Sequence, residues 1–153
     1  MVDDTALAWD MDRSVTLDEK RALVAWAVAC AEMTLDVLDA RCCTDARIRA
    51  ALGAAGAWMR GTCAVSEVRA AASAAHAAAR ETDDAVVRAV ARAAGHAAAT
   101  AHVAGHARAA AHYAVKALVA AGDPARALAI AIDIRGRQES LLPATLRPFI
   151  FGE

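Results

Sequence analysis

Histidine is the residue type that offers this 153-residue sequence most of its chemistry. Four of its five histidines, His96, His102, His106 and His112, fall in one alanine-rich stretch, AGHAAATAHVAGHARAAAHYAVKALVAAG, running from Ala94 to Gly122. The fifth, His76, lies in the segment before it. His102 and His106 are four residues apart, which on an unbroken helix is the spacing that two metal ligands need. Neutral imidazole suits zinc, copper or iron, but a site needs a third and a fourth ligand. No glutamate follows His102 as in HExxH, and only Cys30, His76 or Glu32 could complete the set. The plainer expectation is that His102 and His106 hydrogen-bond to backbone groups freed by a break in the helix, with no metal and no cofactor. His96 follows Arg88 and Arg92 at helical spacing, and His112 lies between Arg108 and Lys116, so both are expected on solvated faces.

Other candidates are charged or aromatic. Glu32, Asp36 and Asp39 form an acidic ridge on one helix face, suited to a basic partner surface. Arg47, Arg49 and Arg60 could contact anions near the ends of the next helix. Trp26 and Trp58 supply volume that a chain with only 4% aromatic residues otherwise lacks. Ser73 precedes His76 by three residues, but no acid in the sequence would orient the pair. Nucleophile motifs, phosphate-binding glycine loops and nucleotide signatures are missing, so no catalytic role is assigned.

The elements that must position these residues are helices. Thr16 and Glu19 have the capping-box spacing, opening a helix to about residue 40 that looks central because it is apolar on two faces. Further helices are expected at 45–60, with Gly61 as its C-terminal cap, and at 65–80. The next begins near Asp84, after a cap at Thr82 or Asp83. Its periodicity continues to Gly122, which is long for a compact domain, and predicts a break near Val103–Gly105. Asp123 and Pro124 start a last helix with Leu128, Ala129 and Ile132 inside. Pro143 and Pro148 then end the helical order, and Phe149 and Phe151 are expected to dock the tail. Strict alternation is absent throughout. The expected fold is all-α: an arm over residues 1–15, with Trp9 packed back, and one domain over 16–153. That domain is a bundle or short stack of helical hairpins with five to six helices.

Composition narrows the function classes. A formal net charge of -1 and scattered arginines give no footprint for nucleic acid. No charge-free apolar run is long enough for a membrane span, and the acidic N-terminus does not read as a signal peptide, so a cytoplasmic protein is expected. Cys30, Cys42, Cys43 and Cys63 then read as reduced thiols.

Five segments taken together resemble a known family. They are WAVACAE (26–32), DARIRAALGAAGAWMRG (45–61), AAHAAARE (74–81), AGHAAATAHVAGHARAAAHYAVKAL (94–118) and RGRQESLLPATLRPF (135–149). In order and spacing they are similar to the Imm-5-like putative immunity proteins of actinobacteria. The resemblance implies a small all-helical protein that binds and neutralises a toxin made by the same cell, an assignment that family owes mainly to gene neighbourhood. Its recurrent polar positions correspond here to Glu32, Arg60, His76, His102 and His106. Acidic and tryptophan-bearing surfaces, Trp26 included, would then recognise the toxin. The alternative is a small-molecule or catalytic pocket of specialised metabolism or self-resistance, walled by alanine and lined by His76, His102 and His106. A homodimer joined through an alanine face is compatible with either.

Overall fold

Thr16 caps the first helix as its spacing predicts: its hydroxyl accepts from the Glu19 backbone at 3.1 Å and the Glu19 carboxylate accepts from the Thr16 backbone at 3.1 Å. The computed structural model describes residues 15–152, so the N-terminal arm and its Trp9 lie outside the described residues. Six longer helices follow one another: α1 (Leu17–Glu32), α3 (Ala46–Met59), α4 (Val65–Glu81), α5 (Ala85–Ala99), α6 (His106–Ala121) and α7 (Ala127–Leu141). Two short ones, α2 (Leu35–Ala40) and α8 (Arg147–Phe151), raise the number above the five or six expected. No strand occurs among the described residues.

The extra helices have local causes. The first helix does not reach residue 40 unbroken, because the buried Thr34 hydroxyl donates to the Ala31 carbonyl at 2.6 Å and separates α1 from α2. Asp45 caps α3 by accepting from the Arg47 backbone, and Gly61, with φ of +77°, ends it. The cap of α5 is Asp84, one or two residues beyond the expected Thr82 or Asp83. Its carboxylate accepts from the Val86 and Val87 backbones, which holds it below the usual carboxylate range, while Thr82 accepts from the Asp84 backbone. Pro143 ends α7, but Pro148 sits in the first turn of α8, where a missing N–H costs nothing.

The predicted break is present and starts earlier, spanning residues 100–105. Thr100 turns the chain by donating its hydroxyl to the His96 carbonyl at 2.9 Å. Short-range backbone bonds from His102 and Val103 to the Ala99 carbonyl serve the freed groups. α5 and α6 therefore fold back on each other as a hairpin.

The hub of the bundle is α5, not the first helix. Eleven of its fifteen residues are buried, against seven of sixteen in α1, and it touches α1, α2, α3, α4 and α6. Alanine makes this feasible because small side chains let neighbouring backbones approach closely. The alanine faces are consumed in this interior: Ala91, Ala94, Ala97, Ala98, Ala107, Ala110 and Ala114 have no exposure. They are not available for a dimer.

α7 lies at the edge against α6 and α1. Its inner face carries Ile134 and Gln138, whereas Leu128 (76% exposed) and Ile132 (63%) point outward with Ala129, opposite to the expected arrangement. The tail docks through Leu146 and Ile150, with Phe149 packed partly against the core and Phe151 exposed.

Candidate functional site

Three helices bring polar rings together at a half-buried seam beside the alanine interior. α4 supplies His76, α5 supplies Arg92 and His96, and α6 supplies His106 and Tyr113. The His76 and His96 rings meet edge to face with centroids 4.7 Å apart. Nδ1 of His96 lies 3.0 Å from Nδ1 of His106, and the other face of His96 stacks on Tyr113 at 5.4 Å. The room for His76 comes from Gly95: a Cβ there would lie 2.7 Å from both Cε1 and Nε2 of the His76 ring.

Protonation follows from these contacts. Arg92 donates from Nη1 to Nδ1 of His76 at 2.9 Å, so Nδ1 holds a lone pair and the ring is the neutral Nε2–H form. Burial lowers the His76 pKa to about 4, helped by the nearby charge of Arg92. Burial lowers His96 to about 3, with His76, His106 and Arg92 adding repulsion. His106 is lowered by burial as well. At neutral pH the trio is an uncharged polar latch: one ring of the His96–His106 pair donates and the other accepts. Its geometry ties α4, α5 and α6 together.

The sequence expectation places His96 on a solvated face, whereas the structure half-buries it. The helical wheel correctly groups His96 with Arg92, but their face of α5 turns toward α4 and α6, which leaves both residues only partly exposed. His112 is exposed as expected. His102 lies in the break, half-buried, with its ring 5.5 Å from that of His106. The interrupted helix removes the regular ligand spacing of these two. Among the described residues no group of three His, Cys, Asp or Glu side chains is arranged to hold a metal ion.

The remaining sequence candidates lie elsewhere. Trp26 is 3% exposed and donates from Nε1 to the Gln138 carbonyl at 2.7 Å, in the last turn of α7. Gln138, 4% exposed and unremarked in the sequence, donates from Nε2 to the Ala111 carbonyl at 2.9 Å. A lone glutamine one turn beyond Ile134 on a helix is the signal that could have found it.

Glu32 and Arg60 stand together at an outward-facing groove of about 440 Å³ between α1, α2 and α3. Val28, Leu35, Leu52 and Met59 wall it, Gly53 leaves it open, and the Arg60 guanidinium lies over Gly56, Nη1 3.3 Å from where a Cβ would be. A Cβ at Gly53 would meet nothing within 4 Å. Neither Glu32 nor Arg60 has an ion-pair partner among the described residues, and both are exposed. The other two candidate arginines are engaged. Arg49 on the groove wall pairs with Asp39 at 2.9 Å. Arg47 bridges Asp45 at 2.7 Å and Glu81 at 2.6 Å, lowering both carboxyl pKa values, beside a smaller recess of about 290 Å³ that includes Cys43. The histidines line neither concavity.

Compared with known protein families, residues 13–144 match the family described as Imm-5 like putative immunity protein. No curated protein and no solved structure matches the chain.

Proposed function

The chain belongs to the Imm-5 like putative immunity protein family, and from that premise we propose that it binds a protein toxin directly and neutralises it. The observation that carries the reading is the groove at Glu32 and Arg60. It offers an apolar floor, a carboxylate and a guanidinium that no residue of the described chain neutralises, with the exposed Asp36 next in sequence to Leu35 of the groove wall. A toxin segment that fits would insert an apolar side chain over Gly53, set a lysine or arginine against Glu32 and Asp36, and bring a carboxylate to Arg60. Opposite charges at the rim speed encounter and fix register, while desolvated apolar contact supplies affinity.

The histidines support the same reading from the other side. They line neither described concavity, and one nitrogen of each ring is engaged within the protein, Nδ1 of His76 by Arg92 and the Nδ1 atoms of His96 and His106 by each other. Their role in this account is to hold the hairpin on which the bundle is built. No helix among the described residues is long and apolar enough to cross a membrane, so partner binding needs no bilayer insertion of a helix.

Growth rescue tests the proposal. Each protein encoded beside this gene is expressed alone and together with the chain. One neighbour is expected to arrest growth, and the chain is expected to restore it, with Arg60→Glu removing the rescue. Arrest that the wild-type chain leaves unrelieved would contradict the proposal.

A further inference from the structure

The arginines are scattered in sequence, but the fold gathers some of them. From residue 85 to 122 the chain contains no aspartate or glutamate, yet it carries Arg88, Arg92, Arg108 and Lys116. Arg88 and Arg92, one turn apart on α5, differ from the arginines around α3 in what holds them. Arg41, Arg47 and Arg49 each rest on a carboxylate. Arg88 instead donates from Nη2 to the Thr82 carbonyl at 2.9 Å, and Arg92 from Nη1 to Nδ1 of the neutral His76 at 2.9 Å. Both acceptors are uncharged, so each guanidinium is held in place while its charge stays whole. Lys116 joins them from α6, with Nζ 5.8 Å from the centre of the Tyr113 ring that stacks on His96. Beside the effect of burial, Arg92 and Arg80 add repulsion at His76, and Arg92 and His112 add it at His96, so cations from α4, α5 and α6 share one field. Arg80, Arg88, Arg92 and Lys116 have no ion-pair partner among the described residues. At the adjoining turn Glu81 is drawn to Arg47 and Asp84 to Arg41, with Asp83 exposed between them. In a chain of net charge -1 this is a local excess that composition does not explain, and like charges one turn apart on a helix oppose folding.

We infer that this face of α4, α5 and α6 binds an acidic segment of a partner protein, with carboxylates set against Arg88, Arg92 and Lys116. A planar guanidinium takes a carboxylate through two parallel hydrogen bonds. Arg92 is half-buried and already anchored, so it loses little freedom on binding and its charge is less screened than a surface charge. The exposed Arg88 and Lys116 steer the encounter. Nucleic acid suits the face less well. Arg88 to His96 spans two turns, roughly 12 Å of helix, which is short for the roughly six to ten phosphate contacts of a strong backbone binder. The ring on which a base would stack is already taken, because Tyr113 lies against His96. The face belongs to helices other than α1, α2 and α3, which form the groove at Glu32 and Arg60, so either site can fail without the other.

The probe is a fluorescein-labelled peptide of about twelve glutamates, titrated with the full chain to ~500 µM in ~50 mM salt and read by anisotropy. Binding is expected with a dissociation constant on the order of 100 µM, weakening as salt rises. Arg88→Glu with Lys116→Glu should leave the circular dichroism unchanged, because both side chains are exposed, and weaken binding about tenfold or more. Arg92→Gln, whose amide keeps a donor for His76, should weaken it about threefold or more. Arg126→Glu with Arg135→Glu changes the net charge equally on α7 and the turn before it, and should leave binding within about twofold. A wild-type chain that does not bind the peptide overturns the inference. So does an equal loss in the two paired variants, which would make net charge the cause. So does tighter binding of a single-stranded oligonucleotide of equal charge that Arg88→Glu with Lys116→Glu removes, which would give the face to nucleic acid.

Discussion

Nδ1 of His96 and Nδ1 of His106 lie 3.0 Å apart, so one imidazole–imidazole hydrogen bond spans the two arms of the α5–α6 hairpin. The bond requires that one ring accept, which a doubly protonated pair cannot do. With His76 and Arg92 attached through His96, the stability of the hairpin depends on keeping these rings neutral.

Acid should therefore loosen the fold before the carboxylates begin to titrate. In the unfolded chain each histidine takes up a proton near its ordinary value of 6.5, whereas the folded state resists until about 4 for His76 and about 3 for His96. Above pH 6.5 both states are neutral and nothing is lost. Below it the unfolded chain binds more protons, so stability falls with pH, by at most about 1.4 kcal/mol per pH unit for each proton. Asp45 and Glu81, held low by Arg47, add their own losses only at still lower pH. Urea midpoints between pH 7.5 and 5 should decline, and His96→Gln should flatten the slope. A wild-type profile flat over that range would contradict neutral burial.

Gly95 and His76 make a sharper pair. Gly→Ala inside a helix ordinarily gains about 0.5–1 kcal/mol. Here the new methyl would strike the His76 ring at 2.7 Å and push it away from Arg92. Gly95→Ala should destabilise by about 1–2 kcal/mol in the wild type, and stabilise by about 0.5–1 kcal/mol in a His76→Ala background. Thermal unfolding of the four proteins completes the cycle, and equal effects in both backgrounds would remove the contact from the account.

Trp26 caps the end of α7. Its indole N–H serves the Gln138 carbonyl, one of the last-turn carbonyls that an α-helix leaves without an internal donor. Trp26→Phe should cost about 1–3 kcal/mol and raise amide exchange selectively in α7. Uniform exchange across all helices would show that the loss is one of volume alone.

The thiols should react in order of exposure. Burial pushes the Cys30 thiol up to about 12, while Cys42 is exposed. A thiol reagent at pH 8 should modify Cys42 first and leave Cys30 unmodified until the chain is denatured. Early labelling of Cys30 would contradict the packing of α1.

Local signals in the sequence were enough for the Thr16–Glu19 capping box, for Gly61 and for the existence of the break, because each rests on residues whose preferences act within a turn or two. They were not enough for exact positions: the α5 cap is Asp84 where Thr82 or Asp83 is expected, and the break starts at Thr100 where Val103 is expected. Burial was harder to read in an alanine-rich chain, because alanine fits inner and outer faces alike. Hence α1 looked central when α5 is, and Leu128 and Ile132 looked buried when an edge helix presents them outward. His96 shows the same limit for polar residues: a face bearing arginine and histidine reads as wet unless the neighbouring helices are known. Glu32 stands out in the sequence as part of an acidic ridge and Arg60 as a candidate anion contact, the family resemblance names both, and only the folded chain shows that they share one groove with Gly53.

Gly53 provides the most direct test of toxin binding through that groove. Its missing side chain leaves open space, so Gly53→Phe should fill the groove without straining the fold, and Gly53→Ala should stabilise α3 by about 0.5–1 kcal/mol. The decisive measurement is calorimetric titration of the purified chain against the growth-arresting protein encoded beside its gene. Wild type and Gly53→Ala should bind alike, while Gly53→Phe should lose at least about tenfold in affinity with its unfolding midpoint intact. Undiminished binding by a stably folded Gly53→Phe would contradict the groove as the toxin site.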